Sequence, residues 1–445
     1  MAVKNDFRQK LHLEPKKGWL NDPNGLSFFK GKYHIYFQYC PESPYGKGDK
    51  CWGHWESSDL LNWTFCGTAI RPDCPDDRSG AYSGCGIVSG DTLHLFYTGN
   101  VKLDGDYDYI TAGREANVIH IATKDGRDMG KKHTLLRNSD YPDYCSCHVR
   151  DPKVWEENGR FYMVLGARTL DDKGCVLYYT STDLLNWTFE KSESRDGFGY
   201  MWECPDVIEL CGNKYLSISP QGLSHGEFSH QNIYSSGYFK ESEFIEWDYG
   251  FDFYAPQTFT APDGRKILIG WMGIGDIPYT NPTAELGWQH CLTMPRELVL
   301  EKNGEIYQKP VAEMNLLRRE CREIEDNSVI SAELPFELTG EICGDFSVKS
   351  DSFSLTYNDG AFILEFSDMK VSGGRTKRRV KLHRLEKISI FADTSSLEIY
   401  LNGGERVMSS RFYPENTELT LSVCGFSGKI YRLDGIKVTK GTEDE

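Results

Sequence analysis

The 445-residue sequence has no apolar run near the ~20 residues that cross a bilayer as a helix, so no membrane span is expected. It has no surplus of positive charge. The formal net charge is −16, and a phosphate backbone or an anionic bilayer would meet net repulsion, which argues against nucleic-acid and membrane partners. The first residues, Met1-Ala2-Val3-Lys4-Asn5-Asp6-Phe7, lack the apolar segment of a secretory leader. The fourteen cysteines are therefore read as reduced thiols of a cytoplasmic protein, not as a disulfide framework. No glycine-rich loop of phosphate-cradling type is present, and Cys145-Ser146-Cys147-His148 has no second Cys/His pair at zinc-like spacing. No cofactor and no metal are expected. Long helical periodicity is scarce, its best stretch being Val311 to Glu320.

What the chain does have is aromatic residues, 13% of the total, in short runs broken by Gly, Asn and Asp. That pattern predicts an all-β protein. Asp59-Leu60-Leu61-Asn62-Trp63-Thr64-Phe65 returns letter for letter as Asp183-Leu184-Leu185-Asn186-Trp187-Thr188-Phe189. Short polar motifs precede aromatic strands at Asn21-Asp22-Pro23, Tyr82-Ser83-Gly84, Arg150-Asp151-Pro152, Glu203-Cys204-Pro205 and Tyr254-Ala255-Pro256, with spacings of 61, 68, 53 and 51 residues. A period of that size with several strands per unit predicts a five-bladed β-propeller over residues 1–310. Proline at four of these openings suits the innermost strand of each blade, which is an edge strand. Residues 311–330 are read as a linker with a short helix. Residues 331–445 have period-two alternation and the hairpin signal Asn402-Gly403, which predict an antiparallel β-sandwich. The basic cluster Arg375, Lys377, Arg378, Arg379 and Lys381 is read as a solvated or edge-protecting face.

Three acids, Asp22, Asp151 and Glu203, stand at blade openings and would converge at one end of the central channel. Clustered carboxylates repel and are costly to desolvate, so their gathering points to chemistry. Glycosidic cleavage needs such a set: one to attack or activate water, one to protonate the leaving oxygen, and further negative charge for a cationic transition state. Trp19, Trp52, Tyr82, Trp202 and Trp271 are candidate flat faces for a sugar. Asn21, Gln38, Ser83, Arg150 and Gln257 are candidate hydroxyl partners, whereas Trp55, Trp63 and Trp187 are assigned to the core.

Trp19-Leu20-Asn21-Asp22-Pro23-Asn24-Gly25, Arg150-Asp151-Pro152 and Trp202-Glu203-Cys204-Pro205-Asp206 resemble the signature motifs of glycoside hydrolase family 32, the invertases, sucrose-6-phosphate hydrolases and fructan hydrolases. Phe37-Gln38-Tyr39, Cys51-Trp52-Gly53-His54, Met294-Pro295-Arg296-Glu297-Leu298 and Asp393-Thr394-Ser395-Ser396-Leu397-Glu398 extend the likeness. The resemblance implies a retaining β-fructofuranosidase with Asp22 as nucleophile, Glu203 as acid and base, and Asp151 as transition-state stabiliser. It implies substrate contacts from Asn21, Gln38, Trp52, Tyr82, Ser83, Arg150 and Trp271, and a small sugar such as sucrose, its 6-phosphate or a short fructo-oligosaccharide as the partner. Cys40 departs from the family's usual Asn, and the loop 41–50 lacks the tryptophan often found before Trp52. Lys47, Lys50, Arg71, Arg78 and Arg114 are the loop cations that could meet a phosphate. Two other readings stay open here: an inverting, arabinanase-like five-bladed glycosidase, and a non-catalytic fructoside-binding protein.

Overall fold

The computed structural model describes residues 5–441, so the first four residues of the N-terminal segment and the last four of the C-terminal domain lie outside it. Nearly all regular structure is strand. Among the described residues the one α-helical turn is Met369–Ser372, the other helices are short 3-10 turns, and no helix is long and apolar enough to cross a membrane.

Gly18–Phe29, Ala81–Ser89, Cys145–Glu157, Met201–Leu210 and Tyr254–Thr260 each start an antiparallel meander. These inner strands touch one another in chain order, and the last touches the first, which closes a β-propeller. The motif spacing predicts five blades. Four sheets are regular meanders of four strands, within residues 18–70, 81–136, 145–194 and 201–246, and the remaining sheet is not. There Tyr254–Thr260 and Lys266–Met272 pair, and the chain then breaks into the 3-10 helix Pro282–Leu286 before Arg296–Leu300 and Ile306–Pro310 complete the sheet. The cause is ring closure. Trp288–Gln289 pairs in parallel with Gly18 and Trp19, while Cys291–Leu292 pairs with Trp271 and Met272, so this stretch is shared between the first and last sheets.

The seven-residue repeat has a structural counterpart. Asp59 Oδ1 accepts from the amides of Leu61 and Asn62, and Asp183 Oδ1 accepts from those of Leu185 and Asn186. Trp63 and Trp187 each donate an indole N–H to the carbonyl three residues back. The fourth residue of each loop, counted from its serine, is Leu60 or Leu184 with φ of 64° and 66°, a left-handed turn fixed by the aspartate and tryptophan bonds. An identical turn needs identical side chains, and the letters repeat for that reason.

The C-terminal domain is a sandwich whose two halves share two long strands, Phe336–Lys349 and Glu418–Leu433. The first halves of that pair are flanked by Lys387–Ala392, and the second halves by Ser354–Asn358. Gly340 and Gly428 face each other in that pair, where a Cβ on Gly428 would meet the Thr339 carbonyl oxygen at 2.3 Å, and the register shifts between Ile342 and Ser347. The expected helix from Val311 is the 3-10 turn Ala312–Leu317, and the expected linker already contains Arg318–Ile324, a strand paired with Glu418–Leu433. The end of the chain also departs from the expected sandwich: Lys437–Lys440 returns to the propeller and pairs in parallel with Asn62–Phe65.

The two domains meet over buried charge. Asp393 accepts from the amides of Lys10 and Leu11 and from His12 Nδ1, and His12 Nε2 reaches Glu398 at 3.0 Å. Glu398 also holds Arg296, which bridges to Asp248, all with side chains sealed from solvent. Asp252 takes both arms of Arg375 nearby. The Asp393-to-Glu398 motif of the sandwich thus pins the N-terminal segment and the last propeller sheet at once. Burial opposes the His12 charge, but its two carboxylates win and raise its pKa from 6.5 to about 9, so it is an imidazolium at neutral pH. That stabilisation is complete below pH 6.5 and is lost as pH rises through about 9. His12→Gln should lower thermal stability at pH 7 by about 3–5 kcal/mol of unfolding free energy, because it leaves two buried carboxylates short of a charge. It should also flatten the fall in melting temperature between pH 7 and 10, and a variant that keeps the wild-type alkaline fall would remove His12 as its source.

Candidate active site

Each inner strand bulges at its opening motif. Asn21 and Asp22 together oppose Gln38, and Tyr82 and Ser83 oppose Thr98. Asp151 and Pro152 oppose Leu165, Cys204 and Pro205 oppose Ile218, and Ala255 and Pro256 oppose Gly270. Two residues facing one leaves an unpaired backbone group, which is where a proline without an N–H does no harm. Asp151, Cys204 and Ala255, each just before such a proline, have φ of 61°, 45° and 48°. Non-glycine residues in that region cost on the order of 1–3 kcal/mol, strain of the kind held at functional sites. The three acids are not at equivalent positions, as the motif alignment suggests. Asp22 is second in its bulge, Asp151 is first, and Glu203 stands one residue before. They reach one pocket of about 310 Å³ from three different backbone positions.

Each carboxylate has different partners. Asp22 accepts from the Ser83 hydroxyl and from Asn21 Nδ2 at 3.1 Å, and Asn21 is itself fixed by the Trp19 indole at 2.8 Å. Burial, aided by the charge of Glu203, raises the Asp22 pKa against those bonds. Asp151 accepts from the Cys204 amide at 3.0 Å. Burial, with the charges of Glu203 and Asp22, raises its pKa to about 7 although Arg150 opposes them. Glu203 accepts twice from Arg150, at 2.6 and 3.0 Å, and from Gln221 and the Tyr254 hydroxyl at 2.7 and 2.6 Å. The Cys204 thiol, its pKa raised by burial, lies 3.8 Å from Asp22 and 3.6 Å from Asp151 and separates the two.

The family model for the glycosyl hydrolases family 32 N-terminal domain matches residues 12–310, and that for the family 32 C terminal matches residues 348–439. The chain belongs to glycoside hydrolase family 32. It is 38% identical to the sucrose-6-phosphate hydrolase of Bacillus subtilis, covering 96% of this chain and 94% of that one. The sucrose-6-phosphate hydrolase structure from Lactobacillus gasseri superposes with a TM-score of 0.86 at 28% identity, over 97% of this chain and 94% of that one. A Bombyx mori GH32 beta-fructofuranosidase mutant solved in complex with sucrose matches at 0.86 and 31% identity, over 97% and 95%.

Of the sites expected in this family 32 glycoside hydrolase, Asn21, Asp22, Gln38, Tyr82, Ser83, Arg150, Asp151, Glu203 and Trp271 all line the pocket, as does Trp19. Trp52 does not. It is fully buried behind Tyr82 and donates to that residue's carbonyl at 2.9 Å, because its strand Cys51–Ser57 is two removed from the inner strand Gly18–Phe29. Trp202 and Gln257 also turn away, Trp202 into the space between sheets and Gln257 onto the Gly84 carbonyl. Adjacent strand residues face opposite ways, so Trp202 cannot share the pocket with Glu203. Five lining residues were missed: Gln221, Tyr234, Tyr254, Gly275 and Asp276. Tyr254 was legible, since its motif sits at the last blade opening.

His148, flagged for its Cys-Ser-Cys-His run, accepts from Arg150 at 2.7 Å and orients it. The basic cluster runs along Lys377–Lys381, the edge strand of its sheet, with Lys381 exposed, but its arginines are bonded and not merely solvated. Arg378 binds Asn232 and Arg379 exchanges two hydrogen bonds with the Gln231 amide, which clamps the loop that carries Tyr234 to the pocket rim. The prediction from this geometry concerns Ser83. Ser83→Ala removes a donor to the ionised form of Asp22, so its pKa should rise further and the acid limb of kcat/KM should move to higher pH. The loss at the optimum should be roughly tenfold or more, as for a hydrogen bond to a charged group. An acid limb that stays in place would contradict the hold of Ser83 on Asp22.

Proposed function

We propose that the chain is a retaining β-fructofuranosidase that removes the terminal β-D-fructofuranosyl unit from sucrose, sucrose 6-phosphate or a short fructo-oligosaccharide. Asp22 attacks the anomeric carbon while Glu203 gives its proton to the leaving oxygen, and the glycosidic bond breaks to leave a fructosyl ester on Asp22. Water then attacks the same carbon, Glu203 takes its proton, and the ester bond to Asp22 breaks. Asp151 accepts from fructosyl hydroxyls and faces the cationic transition state. The observation that carries this reading is the division of labour among three carboxylates in one pocket: Asp22 held by two neutral donors, Glu203 by Arg150, Gln221 and Tyr254, and Asp151 with the thiol of Cys204 between it and Asp22. The Bacillus relative is a sucrose-6-phosphate hydrolase and the Bombyx relative a beta-fructofuranosidase solved with sucrose, which supports the choice of substrate.

The same reading counts the irregular sheet of residues 254–310 as a fifth blade, makes residues 1–310 the catalytic domain and residues 331–445 a supporting sandwich joined through 311–330. Asp22→Asn should fold and lose on the order of 10⁴-fold or more in kcat, as other enzymes do on loss of a covalent nucleophile. Glu203→Gln should lose far less on a fructoside with an activated leaving group than on sucrose, since that leaving group needs no proton. An Asp22→Asn variant with a tenth of wild-type turnover, or equal Glu203→Gln losses on both substrates, would overturn the assignment concerned.

A further inference from the structure

The pocket contains two cations that no carboxylate neutralises. Lys50 Nζ and the Arg114 guanidinium line it, and neither has a side-chain hydrogen bond or ion pair to any described residue. Lys47, Arg71 and Arg78, the other loop cations, lie off the pocket lining. Arg114 is the more unusual of the two. Its Nε is fully buried without a partner, whereas the buried Arg296 and Arg375 each have a carboxylate on the guanidinium. A partly buried guanidinium whose Nε has no acceptor costs free energy, and the ligand chemistry that offsets such a cost is an anion with several acceptor oxygens.

Position selects the part of the substrate. Arg114 opens the strand Arg114–Thr123, which packs against the strand Cys145–Glu157 that carries His148 and Arg150, and Arg150 is bonded to both His148 and Glu203. Arg114 therefore lies on the bank of the pocket where the leaving oxygen is protonated. Lys50 Nζ lies 5.5 Å from the Trp19 ring centroid and within reach of the Asp22 charge. We infer that Arg114 is the specificity residue for a phosphate monoester on the leaving-group sugar, so that the preferred substrate is sucrose phosphorylated on its glucosyl unit. This rests on the fructosidase reading and goes further by naming which of its substrates the pocket is built for. A phosphate monoester has about −1.5 to −2 charge at pH 7 and three acceptor oxygens, which match the unpaired face of a guanidinium. The alternative, that Arg114 serves only to offset the four pocket acids, Asp22, Asp151, Glu203 and Asp276, makes a different prediction, because that role acts on every substrate alike.

The test is kcat/KM for sucrose 6-phosphate and for sucrose, measured side by side on wild type, Arg114→Gln, Arg114→Lys and Lys50→Gln. The ratio of the two constants should fall about 10- to 100-fold in Arg114→Gln, the range of one or two charge-assisted hydrogen bonds, and recover in part in Arg114→Lys. Inorganic phosphate should inhibit sucrose hydrolysis by wild type and not by Arg114→Gln, a readout that holds even where a variant is slow. A ratio unchanged in Arg114→Gln, or moved more by Lys50→Gln, overturns the assignment. A wild type with no action on either sugar overturns the fructosidase reading beneath it, which is a separate failure.

Discussion

In an antiparallel ladder, side chains alternate strictly between faces, and a strand can aim two successive residues at one place only by breaking the ladder. All five inner strands of this protein break it at the same height, where two residues face one. Because these strands form a closed ring, the five irregularities meet around a single opening. Asp22 and Asn21, or Asp151 and Arg150, can then serve one pocket although they are chain neighbours. The prolines and left-handed residues of the motifs are the local cost of that geometry, and the rigidity of the four-stranded sheets behind them keeps the strained backbone in place.

Gathering carboxylates this way is electrostatically unfavourable, and the surroundings respond in two ways. Near the acids, donors are matched to need: neutral groups on Asp22, a guanidinium on Glu203, a backbone amide on Asp151. Asp151, pushed up to about 7, is the member on which the shared burden falls most visibly. Further out, the pocket wall depends on the second domain. The sandwich clamps the Tyr234 loop with Arg378 and Arg379, and it anchors the last propeller sheet through the Glu398–Arg296–Asp248 chain. The sandwich thus supports the site as well as the stability of the fold.

Much of this was legible in the residues. The repeat of opening motifs disclosed the propeller, and proline at four of them marked the inner strands. The signature motifs brought out the three catalytic candidates and about half of the pocket lining; Gln221, Tyr234, Tyr254, Gly275 and Asp276 were not found. What escaped was whatever depended on register or on contacts between distant segments. Glu203 is offset by one residue from Asp151 and by two from Asp22, and spacing in sequence does not resolve a bulge. Trp52 and Trp202 looked like sugar platforms because aromatic residues near a motif can face either way. The run of arginines near residue 378 read as solvated because its partners, Gln231, Asn232 and Glu227, are some 150 residues away. The irregular last sheet and the return of Lys437–Lys440 to the first one are closure events, set by the ring as a whole.

The central claim is that these bulges aim Asp22 at the anomeric carbon for attack, with Glu203 on the opposite side of the bond that breaks. Its most direct test is the configuration of the first fructose released, followed by NMR at low temperature before mutarotation scrambles the anomers. The double displacement predicts β-D-fructofuranose as the initial product. An initial α-anomer would mean that water, and not Asp22, attacks the sugar, and would contradict the account.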